Sequence, residues 1–249
     1  MLRQIRTLVP REDVVYLADQ AHVPYGDRDD ADLARLAVAN VAALEAAGVY
    51  AIVMGCNTSC AVAAKHGWPH ARVPILDLIA AAADDVAARK PARIGVIATA
   101  ATTATGAYGN AIRARLPFAD VQELAAPALV PLVEAGIVHG PVARDAVRTA
   151  LAPLVRPVEI VVLACTHYPL LAEHFTAELP GVTLVDPAVA QAAHAVAFLR
   201  SHHASAPGRG HTRYLTTGDE ASFRHALAET FAMLRPGDEV YRVAQAVRT

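Results

Sequence analysis

Long apolar runs are missing from this chain of 249 residues. The longest, such as Ile160 to Cys165, fall far short of the roughly 18 residues that cross a bilayer. No membrane partner is therefore expected. Lysine is scarce too: of 22 basic residues only Lys65 and Lys90 are lysines, and the basic residues form no run. With a net charge of −2, the chain offers no electrostatic groove for nucleic acid. The bias toward arginine and alanine is read as codon composition, not chemistry. Cysteine occurs three times, as Cys56, Cys60 and Cys165, so the thiols cannot all pair within the chain. No apolar segment behind a basic start marks a secretory leader. An odd cysteine count without such a leader predicts reduced thiols and a cytoplasmic location. Low charge (18%) beside high hydrophobicity (54%) excludes a disordered chain.

What is present is a rhythm. Short apolar runs (Val14–Ala18, Tyr50–Gly55, Arg93–Ala98, Val158–Ala164 and Val182–Val185) alternate with Ala-rich helical stretches such as Asp30–Ala47, closed by Gly48. The runs are β-branched and nearly all apolar, as strands buried on both faces are. The order strand, helix, strand predicts right-handed βαβ units and a parallel sheet, an α/β fold. The polar stretch Asp84–Pro91 and the pair Asp186–Pro187 mark breaks between two lobes. The expected division is 1–80 plus 187–249 for one lobe and 81–186 for the other. A linker rich in Ser, His and Gly, Ser201–Gly210, precedes a last unit, strand Thr212–Thr217 and a helix from Glu220.

In such folds ligands bind beyond the carboxyl ends of the strands, and there the chain repeats itself. Ile52-Val-Met-Gly-Cys56-Asn-Thr resembles Val161-Val-Leu-Ala-Cys165-Thr-His, 109 residues later. Each is an apolar strand, a small residue, a cysteine and polar residues able to cap a helix. A helix N-terminus stabilises a thiolate and binds carboxylates. Two such ends facing across a cleft suit the inversion of a stereocentre, one thiolate removing a proton from carbon and the other thiol returning one. Taken singly, each cysteine reads equally as a small buried hydrophobe. A zinc site of Cys56, Cys60, His66 and His70 has an irregular ladder, and Cys60 falls one turn into the helix, where it packs. No metal is expected.

On these residues the chain resembles the cofactor-independent aspartate/glutamate racemase superfamily, and its glutamate racemase branch most. The matching stretches are Tyr16-Leu-Ala-Asp-Gln-Ala-His-Val-Pro-Tyr25-Gly26, Gly55-Cys-Asn-Thr-Ser, Ile94-Gly-Val-Ile-Ala-Thr99, Leu129-Val-Pro-Leu-Val-Glu134 and Ala164-Cys-Thr-His-Tyr-Pro-Leu-Leu171. They cover about residues 1 to 200, and Thr216-Thr-Gly-Asp219 matches more weakly. The resemblance implies two pseudo-symmetric, three-layer αβα lobes with mainly parallel sheets and an active site in the cleft between them. It implies Cys56 and Cys165 as the acid/base pair, without pyridoxal phosphate or any other cofactor. Glutamate would be the substrate, racemised to supply D-glutamate for peptidoglycan and cell shape, and a homodimer is compatible. Tyr25, Gly26, Asn57, Thr58, Thr166 and His167 match positions that bind substrate. His167 would tune the proton of Cys165, and Glu134 would orient His167. Thr99 and Thr102 follow a strand end and are expected to line the site, as is Asp19. Helix capping is the competing role for Thr58 and Thr166. The remaining histidines, the His202-His203 pair included, are read as surface residues.

Three features depart from the family. Its opening strand, ending in Asp-Ser-Gly, has no counterpart, and Met1–Pro10 looks like the helix that should follow it. Either the natural chain is longer or it is shortened and weakened. In both cases the segment given should show a gap in a sheet and exposed apolar side chains. Asp77 and Ala81 stand where the family tends to have other residues. The alternatives to glutamate racemisation are another superfamily activity, on aspartate, a hydantoin or maleate, or an inactive binding or regulatory protein that keeps the cleft.

Overall fold

The structure, a computed structural model, describes residues 1–155, 157–202 and 208–244. In chain order it runs α1 (Leu2–Leu8), β1 (Val14–Ala18), α2 (Asp30–Ala46), β2 (Ile52–Val53), α3 (Asn57–His66), β3 (Ile75–Leu76), α4 (Leu78–Arg89) and β4 (Arg93–Ala98). Then come α5 (Ala100–Thr105), α6 (Ala107–Arg115), β5 (Asp120–Ala125), α7 (Leu129–Glu134), α8 (Gly140–Leu151) and β6 (Ile160–Ala164). The chain closes with α9 (Ala172–Glu178), β7 (Thr183–Val185), α10 (Pro187–His202), β8 (Thr212–Thr216), α11 (Glu220–His225) and β9 (Glu239–Arg242).

Every strand pairing among the described residues is parallel, as the βαβ rhythm requires. The second lobe holds a four-stranded sheet in the order β5-β4-β6-β7. Its central strands are buried on both faces, and the pleat sends alternate side chains to opposite sides. Ile94, Val96 and Ala98 enter one core with Ile160, Val162 and Ala164, packed against α4 and α6. Ile97, Val161 and Leu163 enter the other, against α7, α8 and Phe175 of α9. Cys60 and Ala61 of α3 belong to the first core, so helix α3 of the first lobe is packed onto the second. Cys60 is fully buried there, the packing role read from its position one turn into the helix.

The first lobe is less complete. It holds two separate sheets, β1-β8-β9 and β2-β3. The expected gap in hydrogen bonding is present: β1 pairs only with β8, and all five of its residues are partly exposed despite an apolar sequence. Burial on both faces, read for all strands, therefore fails at β1, because no strand covers its second edge among the described residues. The predicted strand Tyr50–Gly55 shrinks to Ile52–Val53, since its one partner, β3, is two residues long. The break read at Asp84–Pro91 is displaced, because α4 runs through to Arg89 and ends at Lys90, which takes a left-handed φ of 53°. Strand β5 escaped the pattern because Asp120, Gln122 and Glu123 interrupt its apolar residues, which an edge strand tolerates. Part of the Ser201–Gly210 linker, with His203, lies outside the described residues.

Candidate active site at the strand ends

Strands β4 and β6 end level with one another, Ala98 opposite Ala164. The next residues, Thr99 and Cys165, therefore emerge side by side. Tyr168 anchors this edge. Its buried hydroxyl contacts the carbonyls of Ala98 (3.2 Å) and Ala126 (2.8 Å), tying the turn after β6 to the ends of β4 and β5.

Cys165 itself is 7% exposed. Burial pushes its thiol up to about 12, against the hydrogen bonds from the backbone N–H groups of His167 and Tyr168, and a charge on Cys56 pushes it further up. The α-helix expected at this turn is absent. A 3₁₀ turn, Tyr168–Leu171, intervenes, and α9 starts only at Ala172. No helix dipole is therefore aimed at this sulfur, and the acceptor beside it is a histidine instead. Sγ of Cys165 lies 3.6 Å from Nδ1 of His167, whose Nε2 lies 2.5 Å from Oε1 of Glu134 at the end of α7. With Nε2–H donating to the carboxylate, Nδ1 presents a lone pair to the thiol. The three side chains form a line along which the Cys165 proton can be taken up. Thr166 between them is exposed.

Cys56 occupies the equivalent place in the first lobe, as the N-cap residue of α3, in extended conformation (φ −111°, ψ 119°) and partly exposed. Asn57, Thr58 and Ser59 do not cap the helix, as the sequence suggested, because they form its first turn and are buried. The polar groups of Asn57 and Thr58 turn toward the second lobe. Tyr108 donates its hydroxyl to Oδ1 of Asn57. The hydroxyl of Thr58 lies 3.1 Å from that of Thr99 and 3.2 Å from that of Thr102, which are 2.9 Å apart. Thr99 also caps α5 by accepting from Thr102 N–H at 3.2 Å. Capping and a place in the site coexist at Thr99, whereas Thr58 serves the cluster alone. This hydroxyl triad joins the two lobes.

The loop after β1 closes over the triad. A Cβ on Gly26 would stand 3.2 Å from Cβ of Thr99, so the loop touches that threonine because residue 26 lacks a side chain. Tyr25 donates its hydroxyl to Asp19 and accepts from Asn40 at 3.1 Å. Asp19 also accepts from Nδ1 of His22 and from the hydroxyl of Thr217, both at 2.7 Å. Burial works to raise the Asp19 carboxyl, but the hydrogen bonds from Tyr25, His22 and Thr217 hold it below its ordinary value. Asn40, Thr217 and Tyr108 carry no local sequence signal, since each meets its partner only through the fold. Gln191 of α10 is another such residue. Fully buried, it donates Nε2 to the carbonyls of Leu76 (2.7 Å) and Met54 (3.2 Å), holding the ends of β2 and β3 just before Cys56 and Asp77.

The suggested zinc ladder does not assemble. Cys60 faces the core, and His66 lies 2.7 Å from Asp30 on the surface. Among the described residues no three His, Cys, Asp or Glu side chains are grouped to hold a metal ion, and no helix is long and apolar enough to cross a membrane.

Known proteins resemble this chain in sequence and fold. The family model for Asp/Glu/Hydantoin racemase matches residues 1–195. A glutamate racemase of Gloeobacter violaceus is 41% identical over 228 residues, spanning 91% of this chain and 85% of its own. The crystal structure of glutamate racemase from Thermus thermophilus in complex with beta-chloro-D-alanine superposes with a TM-score of 0.82 at 34% identity, covering 99% of this chain and 92% of its own. That of the Francisella tularensis enzyme in complex with D-glutamate gives a TM-score of 0.85 at 25% identity, covering 98% and 92%. Sequence and fold agree, and the chain belongs to the Asp/Glu/hydantoin racemase family.

Proposed function

We propose that this chain interconverts L- and D-glutamate with two thiols and no cofactor. The observation that carries this reading is the line Cys165–His167–Glu134 together with a second cysteine turn at Cys56, whose charge acts on Cys165. Relatives named glutamate racemase at about 40% identity over most of the chain give the substrate.

In one direction, His167 takes the Sγ proton of Cys165, and the thiolate removes the proton from Cα of bound glutamate. The C–H bond breaks and its electron pair stays on carbon. Cys56 then gives its S–H proton to the opposite face, which inverts the centre and leaves Cys56 as thiolate. In the other direction the two sulfurs exchange roles. Tyr25, Gly26, Asn57, Thr58, Thr99, Thr102 and Thr166 supply neutral hydrogen bonds to the substrate's carboxylates and ammonium. Neutral groups fit this task, because an added fixed charge would bind substrate and carbanion alike.

We divide the lobes as 1–80 with 187–249 and 81–186; β1, β8 and β9 sharing one sheet while β4 to β7 share another supports two lobes, although position 80 falls inside α4. The product D-glutamate serves peptidoglycan synthesis, in the cytoplasm, and the active form is compatible with a homodimer. In deuterated water, wild-type protein should introduce deuterium at Cα of both enantiomers while racemising them. Cys56→Ala and Cys165→Ala should each abolish racemisation. If both single variants racemise normally, the two-thiol mechanism is wrong. A panel of glutamate, aspartate, a hydantoin and maleate tests the substrate. Glutamate binding without any Cα exchange in wild-type protein would identify a binding protein.

A further inference from the structure

The far end of the first lobe carries a cavity of about 250 Å³ that the racemase reading does not use. It lies at the amino ends of β1 and β8, whereas Asp19, Thr217 and Cys56 sit at carboxyl ends of strands. Arg3, Arg6 and Arg235 line it together with the hydroxyls of Thr7 and Tyr214. Three guanidinium groups at one concavity are unexpected in a chain of net charge −2, because like charges gathered together raise the energy of the empty site.

Local structure accounts for only part of this cluster. Arg6 is 5% exposed. It donates to the hydroxyl of Thr212 from Nε at 3.1 Å and from Nη2, and to the carbonyls of His211 (2.6 Å) and Glu12 (2.5 Å). These bonds use four of its five N–H groups and leave one on Nη1. Burial pushes the pKa of Arg6 down, Asp238 holds it up, and Arg235 pushes it down again. Arg3 donates to the carbonyl of Phe231. The guanidinium of Arg235 has no hydrogen-bond or ion-pair partner among the described residues. Asp238 is spent on backbone, accepting from the N–H groups of Thr212 (2.6 Å) and Arg235 (3.0 Å). The cavity thus presents unused donors from three cations, while the two carboxylates acting on Arg6, Asp238 and Asp13, both accept from backbone N–H groups. Its volume falls below the roughly 300 Å³ at which sites for drug-sized ligands begin, so a small, highly charged group fits it best.

We propose that this cavity is an anion site for a phosphoryl group, either free phosphate or the phosphate of a small metabolite. Guanidinium groups match the oxygen geometry of phosphate and bind it bidentately. The site is separate from the catalytic strand ends, and the proposal stands whether or not glutamate is the substrate.

The test is isothermal titration of the full chain at constant ionic strength, with the catalytic cleft saturated by D-glutamate. Inorganic phosphate and glycerol phosphate are the probes, and sodium chloride is the control. We expect saturable binding of at least one probe beyond the chloride control, weakened about tenfold in Arg235→Gln and in Arg3→Gln. Equal affinity for the two probes would identify free phosphate as sufficient, and tighter glycerol phosphate a metabolite. Both outcomes support the site. Arg235→Gln removes no hydrogen bond among the described residues and should fold and racemise as wild type. Lack of saturable binding by wild-type protein, or unchanged affinity in a folded Arg235→Gln variant, would overturn the proposal.

Discussion

Replacing His167 with alanine tests the chemistry of the Cys165 half most directly. Burial raises the Cys165 thiol to about 12 in the substrate-free protein. At pH 8 that leaves a thiolate population of about one in ten thousand, too small for a working base unless a neighbour takes the proton. His167 is the side chain placed to do so, 3.6 Å from the sulfur. Without it the loss in kcat/KM should lie between about 10² and 10⁴, the usual range for a positioned general base. The remaining activity should depend on hydroxide and rise about tenfold per pH unit from pH 7 to 10, since only ionisation of Cys165 then limits it. The two enantiomers have equal energies, so kcat/KM must fall equally in both directions. The asymmetry appears instead in exchange: one enantiomer should take up solvent deuterium through Cys56 faster than it inverts. Initial rates by circular dichroism and deuterium incorporation by mass spectrometry measure both quantities. A variant with wild-type rates, or one with a flat pH profile and equal exchange from both enantiomers, would refute the role of His167.

Three further outcomes follow from individual contacts. Tyr168→Phe removes the hydroxyl's bonds to Ala98 and Ala126, whose carbonyls keep backbone donors from Ala126 and Leu129, and should cost about 0.5–1.5 kcal/mol in urea denaturation, with racemisation lowered because Cys165 loses its anchored turn. Asp19→Asn should weaken the hold on Tyr25 and raise KM severalfold. It should also remove a pH dependence of stability. The depressed Asp19 carboxyl contributes stability that is present above its unfolded value of about 3.9 and lost as pH falls through its lower folded value, so wild type and variant should converge in thermal melts once pH falls below that folded value. Gly26→Ala places a methyl group 3.2 Å from Cβ of Thr99. That asks for a shift of a few tenths of an ångström and should raise KM with little change in melting temperature.

Much of the site was legible because its chemistry is written in contiguous segments. A strand, a small residue, a cysteine and polar residues form a local pattern, and both turns lie where that pattern puts them. Thr99 and Thr102 were likewise legible as residues following a strand end, and Gly26 through the family resemblance. What was not legible depends on distance in sequence. Tyr108 reaches Asn57 across 51 residues and Thr217 reaches Asp19 across 198, and no local spacing encodes such encounters. Helix capping at Thr58 was a sound local inference that failed because the tertiary structure offered its hydroxyl two better partners in the other lobe.

The sequence by itself determined the parallel α/β architecture and the position of the paired thiols, since apolar periodicity and turn chemistry act over a few residues. Only the tertiary structure decided the electrostatic setting of each thiol. Cys165 meets a 3₁₀ turn, a buried pocket and a histidine held by a carboxylate on another helix, while Cys56 heads an α-helix and stays partly exposed. The two turns are alike as strings of residues, yet burial and neighbouring groups are set by the packing of whole elements, and these govern where a proton resides.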